Sequence, residues 1–227
     1  MSRAVERLGG NVIPLRSVPT APVRLISAFT DIGQGAGLAT TSGARPFLAV
    51  IATGVLAHED AGINFTGTDW SWMESWVFIG ILAVLFIAFW VMDRSGKSEV
   101  IRPGGKAMET VPTYAISCAI AGALLFAGSL ADGGETSWPG LVAGAAIGFV
   151  GYLALGLLFM RANQRLFAAG DPGVLLGIGR DLLTIALTVL VVFADVVGYL
   201  VFAVALVLIF MARRREGEKY EGLRVLR

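Results

Sequence analysis

Long apolar blocks constrain this chain more than any other feature of its sequence. Three of them, Trp76–Met92, Val111–Leu130 and Pro139–Met160, carry no charge, and each approaches the roughly 20 residues that cross about 30 Å of hydrocarbon. The stretch Gly173–Met211 is too long for one crossing, and its polar interruption at Asp195–Gly198 predicts two helices joined by a minimal turn. The blocks therefore predict an all-α, polytopic membrane protein.

The composition is typical of a membrane protein, and the sequence lacks the motifs of common catalytic and metal sites. Hydrophobic residues make up 56% of the chain and charged residues 15%, whereas soluble domains carry about 25% charged residues. A net charge of +1 gives no overall attraction to nucleic acid. The sequence has one cysteine, Cys118, one histidine, His58, and no phosphate-binding or nucleophile motif. We therefore expect no catalytic residue, no metal, no cofactor and no enzymatic activity.

The segment Arg24–Ala57 is the hardest to assign, because a single helix over it would be about 50 Å long. Its middle is polar and rich in glycine, and Pro46 follows. We predict an interfacial or re-entrant helix over Val23–Ala39, a break near Thr41–Arg45, and then a spanning helix. Backbone that is not helical at membrane depth must be packed against protein or line a wet cavity. The complete prediction is six transmembrane helices plus this N-terminal helix.

Loop charges predict the orientation. The loops His58–Glu74 and Ala131–Trp138 contain no lysine or arginine, whereas Asp93–Glu109, Arg161–Arg180 and the tail after Met211 all contain them. Positive residues collect on the cytoplasmic side of membrane proteins, so this alternation predicts an inner (plasma) membrane protein with both termini in the cytoplasm.

Small residues form a stripe on the fourth predicted span. Gly140, Gly144 and Gly148 recur every four residues, which places them on one helix face and lets another backbone approach closely. Three alanines of the preceding span form a similar stripe: Ala119, Ala123 and Ala127. The glycine stripe is either an internal helix-packing face or a contact between protomers.

Four charged residues are predicted to form a polar cluster inside the membrane. Arg45 and Arg180 would each lie about 8–10 Å inside the cytoplasmic boundary, where an unpaired charge is costly. Neighbours on a helix point to different sides, so Arg180 and Asp181 do not satisfy each other well. We therefore predict that Arg45 pairs with Asp181 and that Arg180 pairs with Asp31. Such a cluster is either a salt-bridge clamp or a vestibule that attracts anions or relays protons.

The run GAGLATTSGARPFLAVIATGVLAHEDAG, followed by WSWMESW, resembles the opening of the bacterial membrane family called domain of unknown function 4126 (DUF4126). The residues that carry the family's first pattern are Gly37, Leu38, Gly43, Arg45, Phe47 and Leu48, with Pro46 before the phenylalanine. A second signature is similar to Gly170, Asp171, Pro172, Arg180 and Asp181, where Asp171 replaces asparagine and Arg180 replaces an acid. The resemblance implies a small all-helical inner-membrane protein and supplies no activity.

The resemblance covers roughly residues 28 to 215. It agrees with one transmembrane domain over residues 25–213, between an N-terminal cytoplasmic arm, residues 1–24, and a basic cytoplasmic tail, residues 214–227.

Two functions remain open from the sequence. The first is a non-catalytic accessory or scaffold subunit, in a homo-oligomer or a larger membrane complex, that packs through its glycine stripe and terminal arms. The second is a small transporter or channel with its site at the charged broken helices around Arg45 and Arg180/Asp181. The bilayer is the expected partner in both, and nucleic acid in neither.

Overall fold

The computed structural model of the protein describes residues 21–94, 110–168 and 173–224. Every regular element in these ranges is helical, so the all-α prediction is confirmed there. The helices are α1 (Ala21–Thr41), α2 (Pro46–His58), α3 (Trp76–Arg94), α4 (Thr110–Asp132), α5 (Trp138–Gly151), α6 (Leu157–Ala168), α7 (Val174–Phe193) and α8 (Asp195–Arg224), with a 3₁₀ turn at Ser71–Glu74. A π-helical segment, Tyr152–Gly156, joins α5 to α6.

Parts of four sequence predictions lie outside the described residues. These parts are most of the N-terminal arm, most of the loop Asp93–Glu109, Gly170–Pro172 of the second family signature, and residues 225–227 of the tail.

Four helices are long and apolar enough to cross a membrane, by length and composition. They cover Thr113–Asp132, Trp138–Asn163, Val174–Phe193 and Asp195–Arg214, and two shorter apolar helices cover Pro46–His58 and Trp76–Val91. Only 17% of the apolar window in α7 and 11% of that in α8 are buried inside the chain. Apolar surface this continuous is expected where lipid surrounds a helix bundle, so these helices are consistent with a membrane protein.

The direction of α1 is fixed by its contacts with α4. At the middle of α1, the Asp31 carbonyl accepts a hydrogen bond at 2.8 Å from the Ser129 hydroxyl, which lies near the C-terminal end of α4. Just beyond the C-terminal end of α1, the Ser42 hydroxyl oxygen lies 3.1 Å from the Cys118 carbonyl oxygen of α4. The two helices are therefore antiparallel. We call the end of the bundle near Asp31 the acidic end, because Asp132 and Asp195 also lie there, and the opposite end the tail end.

Helix α1 is the central helix of the bundle, although it is not among the four candidate spans. Gly33 and Gly37 allow α8 to cross close by, since a Cβ built at Gly33 would lie 2.9 Å from the Asp195 carbonyl oxygen. Phe29 stacks on Tyr199, whose hydroxyl donates to the Phe29 carbonyl at 2.6 Å. From Gly33 onward, protein covers α1, which is why this half of the helix tolerates a more polar sequence than its neighbours.

The glycine stripe of α5 packs inside the chain. A Cβ built at Gly144 would lie 2.6 Å from Phe126 Cβ and 2.9 Å from Ala123 Cα, both on α4. Cβ atoms at Gly140 and Gly148 would likewise meet the α4 backbone at Ala127 and Gly122. Of the two sequence interpretations, internal helix packing describes this face, because α4 already occupies it.

The described chain starts and finishes at opposite ends of the bundle. Helix α1 runs from the acidic end toward the tail end. Helix α8 runs the same way, because its first residue, Asp195, lies against Gly33 and its Gly198 lies against Gly37 further along α1. The side of the membrane on which each terminus lies stays a prediction from the loop charges.

Candidate functional site at the helix break

The chain leaves helical geometry between α1 and α2 at residues 42–45, which we call the helix break. Pro46 is the first residue of α2, and a proline disfavours helical backbone in the residue before it. Arg45 is accordingly extended, with φ −148° and ψ 97°. The predicted break near Thr41–Arg45 thus falls where the structure has it.

Hydroxyl groups compensate for the backbone that the break exposes. Thr41 donates to the Leu38 carbonyl at 2.8 Å, and Ser42 donates to the Ala39 carbonyl at 2.7 Å. The Leu38, Thr40 and Thr41 carbonyls also accept hydrogen bonds from the backbone amides of residues 42–44. The carbonyls of the last helical turn can therefore be buried without losing their hydrogen bonds. Thr41, Ser42 and Ala44 are fully buried, so the break is packed against protein.

Helices α4 and α5 pack closely against the break. Gly43 lies directly against Gly151 of α5, where a Cβ on either residue would overlap backbone. From α4, the Tyr114 hydroxyl donates to the Ala44 carbonyl at 2.5 Å. Cys118, also on α4, has its sulfur 3.9 Å from the Gly43 carbonyl oxygen.

An ion pair joins the helix break to α7. Arg45 Nε donates to Asp181 Oδ1 at 2.6 Å, and the two side chains are only 9% and 17% exposed. The structure therefore contains the predicted pair. Arg180 lies beside it, with its guanidinium carbon 6.0 Å from the centre of the Phe159 ring of α6. Arg180 thus faces α6 while Asp181 faces α2, as expected for neighbours on a helix.

The buried face of α7 is polar next to this ion pair. Thr184 and Thr188 follow Asp181 at helical spacing, and both are fully buried. Thr184 donates to the Arg180 carbonyl at 2.8 Å. The hydroxyl of Thr188 has no hydrogen-bond partner in the described part of the chain. A helix that buries its threonines and exposes its leucines has the opposite pattern to a soluble helix, as expected in lipid.

A second polar group lies at the acidic end. Gln34 Nε2 donates to Asp195 Oδ1 at 3.2 Å, and Gln34 Oε1 lies 2.9 Å from Ser129 Oγ, whose one proton is shared between this oxygen and the Asp31 carbonyl. Burial, together with the nearby carboxylates of Asp132, Asp195 and Glu135, raises the pKa of Asp31 to about 6.

The predicted pairing of Arg180 with Asp31 is wrong. Asp31 lies beside Ser129 and Gly133 at the acidic end, whereas Arg180 lies beside the helix break. Since α1 is one uninterrupted helix to Thr41, the ten residues after Asp31 separate it from the break by about 15 Å. The predicted cluster of four therefore comprises Arg45, Arg180 and Asp181 only.

Several polar residues of the site were missed by the sequence analysis. Gln34, Tyr114, Ser129 and Tyr152 each stand alone in an apolar or glycine-rich stretch, and only packing brings them to the break or to the acidic end. The one available signal was the presence of isolated hydrogen-bonding side chains in otherwise apolar helices, which are rare in lipid unless they face a neighbouring helix.

Residues 32–215 match the family model of domain of unknown function DUF4126. The chain belongs to this family. In this DUF4126 member the matched range contains the helix break, the ion pair and the glycine stripe, while Asp31 falls just before it. Comparison with curated proteins and with solved structures gives no match.

Proposed function

We propose that this DUF4126 protein is a small, non-catalytic transporter or channel of the inner membrane, with its site at the helix break. The observation that carries the proposal is the broken pair α1–α2, whose tip lies inside the bundle against the Arg45–Asp181 ion pair. Transporters commonly bind substrate or ions between half-helices whose ends meet inside the membrane.

The energetic cost of this arrangement supports a functional role. A continuous apolar helix would satisfy every backbone group at no cost, whereas a break at this depth requires hydroxyl side chains and close glycine contacts to compensate. A buried ion pair adds little net stability, because the cost of desolvation offsets the attraction. The helix break and the buried ion pair cost free energy and add little stability to the fold. Such features are expected where a protein binds a ligand or conducts an ion.

The proposal includes a topology. We infer that α3, α4, α5–α6, α7 and α8 each cross the bilayer, while α1 and α2 form a re-entrant hairpin that enters from the acidic end. Arginines 213–215 follow the apolar part of α8, so the positive-inside rule assigns the tail end to the cytoplasm. The helix break would then lie in the cytoplasmic third of the membrane, as the sequence analysis expected.

The accessory-subunit interpretation relied on the glycine stripe and on the terminal arms. Helix α4 covers the stripe, so that interpretation now depends on the arms and on the lipid-facing surfaces. Assembly into a homo-oligomer through other lipid-facing surfaces remains compatible with transport.

Flux measurements test the proposal. The purified protein would be reconstituted into liposomes that contain a chloride-sensitive dye or a pH-sensitive dye, with an imposed ion gradient and membrane potential. We expect a flux above that of empty liposomes and a large loss in Arg45→Gln, because this change removes the charge at the break. Arg213→Gln is the matched control, since it removes an exposed arginine from the tail end.

Two results would count against the proposal. Wild-type protein that folds in liposomes but moves neither protons nor chloride, sodium or potassium would contradict a transport role for these ions. An equal flux in wild type and folded Arg45→Gln would contradict the placement of the site.

A further inference from the structure

An open pocket of about 560 Å³ lies where the α2–α3 connection meets the first turn of α3. The connection belongs to the acidic end, because the Asn64 amide donates to Asp132 Oδ1 of α4 at 3.2 Å. The volume is typical of sites for small molecules, which occupy roughly 300–1,000 Å³. The pocket is separate from the helix break, so its occupant goes beyond the transport function proposed above.

Two carboxylates give this pocket a negative charge. Asp60 and Glu74 both line it, and residues 58–75 contain four acids and no lysine or arginine. The Thr66 hydroxyl donates to Glu74 Oε1 at 3.1 Å, whereas Oε2 is buried with no hydrogen-bond partner among the described residues. Water screens a charge poorly where it is partly excluded, so the pocket attracts a cation.

His58 and Trp76 form an aromatic wall of the same pocket. Their rings meet edge to face, with the ring centroids 4.8 Å apart. The imidazole is held from its other side, since Nδ1 of His58 lies 3.1 Å from the Glu74 carbonyl oxygen and donates to it when protonated. Trp76 is still 58% exposed, so its indole remains accessible to a ligand. Among aromatic side chains, tryptophan is the best partner for a cation, and aromatic rings commonly hold ammonium ligands.

The lining suits an ammonium group better than a metal ion. Among the residues that the structure describes, no three histidine, cysteine or acidic side chains are placed to hold a metal ion together. An ammonium group needs fewer ligands, because its N–H groups bond to carboxylates and its charge also interacts with an aromatic ring.

An exposed apolar stripe continues from the pocket along α3. It begins at Val77, which lines the pocket, and its members recur every three or four residues and are all more than half exposed: Val77, Ile81, Val84, Ile87 and Val91. From Val77 to Val91 the helix rises about 21 Å, which exceeds the roughly 15 Å of hydrocarbon in one leaflet. A molecule with its ammonium group in the pocket can therefore extend an acyl chain along this stripe.

We propose that this pocket binds the ammonium group of a lipid head group in the leaflet at the acidic end. Asp60 and Glu74 attract the charge, and the Trp76 ring contacts it. The hydroxyl groups of Ser71 and Ser75 also line the pocket, and they can donate hydrogen bonds to the phosphate of the same head group. The acyl chain then follows the apolar stripe of α3.

A lipid titration in detergent tests the proposal. Thermal unfolding would be followed in dodecyl maltoside with increasing fractions of phosphatidylethanolamine, or of phosphatidylglycerol with the same acyl chains. A lipid that binds only the folded protein raises Tm as its fraction rises. We expect phosphatidylethanolamine to raise the Tm of wild type at lower fractions than phosphatidylglycerol, because only phosphatidylethanolamine carries an ammonium group.

Two pocket variants and two matched controls locate the effect. Glu74→Gln removes the charge but keeps an acceptor for Thr66, and we expect it to bind phosphatidylethanolamine about tenfold more weakly. Trp76→Leu removes the aromatic ring, and we expect binding weaker by about threefold or more. Asp69→Asn and Trp72→Leu change the same residue types at exposed positions outside the pocket lining, and we expect both to bind as wild type does.

Several results would overturn the proposal. One is an equal Tm shift from the two lipids, or no shift from either. Another is an unchanged lipid preference in a folded pocket variant, and if one of these variants does not fold, the other decides. An equal loss of preference in Glu74→Gln and Asp69→Asn would show that general surface charge is sufficient. Ethanolamine alone tests the source of the ammonium group, and a Tm rise equal to that from the lipid would mean that the ligand is a free amine.

Discussion

Arg45 and Asp181 are 136 residues apart in sequence, and their side chains meet at 2.6 Å inside the bundle. This pair connects the extended residue before α2 to the first half of α7, so it holds the two helices at the helix break. Neither partner is more than 17% exposed, so water screens the interaction poorly.

Removing either partner of this pair should destabilise the protein. Asp181→Asn leaves the Arg45 charge buried without its partner, and such changes cost about 3 kcal/mol or more. The exchange Arg45→Asp with Asp181→Arg should recover part of that loss, since opposite charges again meet. Thermal unfolding in detergent measures both effects, with Arg213→Gln as a control expected within about 0.5 kcal/mol of wild type. Additive losses in the exchanged double variant would show that the two charges do not interact.

The ion pair could be predicted from the sequence, because Arg45 directly precedes one apolar helix and Asp181 lies within another, so each charge needs a partner. The break could also be predicted, since Pro46 and the glycines before it are local signals. The position of Asp31 could not be predicted, because it depends on the direction in which α1 enters the bundle. That direction is fixed by contacts such as Ser129 with Asp31 and Ser42 with Cys118, which join distant parts of the chain.

Replacing glycine by alanine should change the stability in opposite directions at Gly144, in the glycine stripe, and at Gly80, outside it. At Gly144, even the single methyl group of alanine would lie 2.6 Å from Phe126 Cβ, and overpacking of this kind costs about 1–3 kcal/mol. At Gly80 of α3, no described atom lies within 4 Å of a built Cβ, so alanine should stabilise the helix by up to about 1 kcal/mol. Unfolding of Gly144→Ala and Gly80→Ala in detergent compares the two. A stable Gly144→Ala would mean that α4 and α5 are farther apart than the structure has them.

The acidic end should make stability depend on pH. The pKa of Asp31 is raised from 3.8 to about 6, first by burial and then by Asp132, Asp195 and Glu135. The folded protein therefore takes up this proton more readily than the unfolded chain, and the stability contributed by Asp31 grows as pH falls from about 6 toward 3.8.

Asp31→Asn tests this assignment. The variant should be more stable than wild type at pH 7, and the difference should shrink as pH falls through 6, because wild-type Asp31 then becomes neutral. Asp69→Asn is the control, because it removes one carboxylate from an exposed loop position. A difference between Asp31→Asn and wild type that stays constant from pH 7 to pH 4.5 would mean that Asp31 does not titrate in this window.

The direction of α1 predicts which positions are reachable from the same side of the membrane. Single cysteines at Ser27, Thr66 and Arg213, in a Cys118→Ala background, can be labelled with a membrane-impermeant maleimide in intact cells. Ser27 belongs to α1 and Thr66 to the α2–α3 connection, both at the acidic end, and all three positions are exposed. We therefore expect Ser27→Cys and Thr66→Cys to label together, and Arg213→Cys to label only after permeabilisation. Labelling of Arg213→Cys alone would preserve the bundle and reverse its orientation. Labelling of Thr66→Cys without Ser27→Cys would contradict the hairpin itself, because α1 would then have to enter from the tail end.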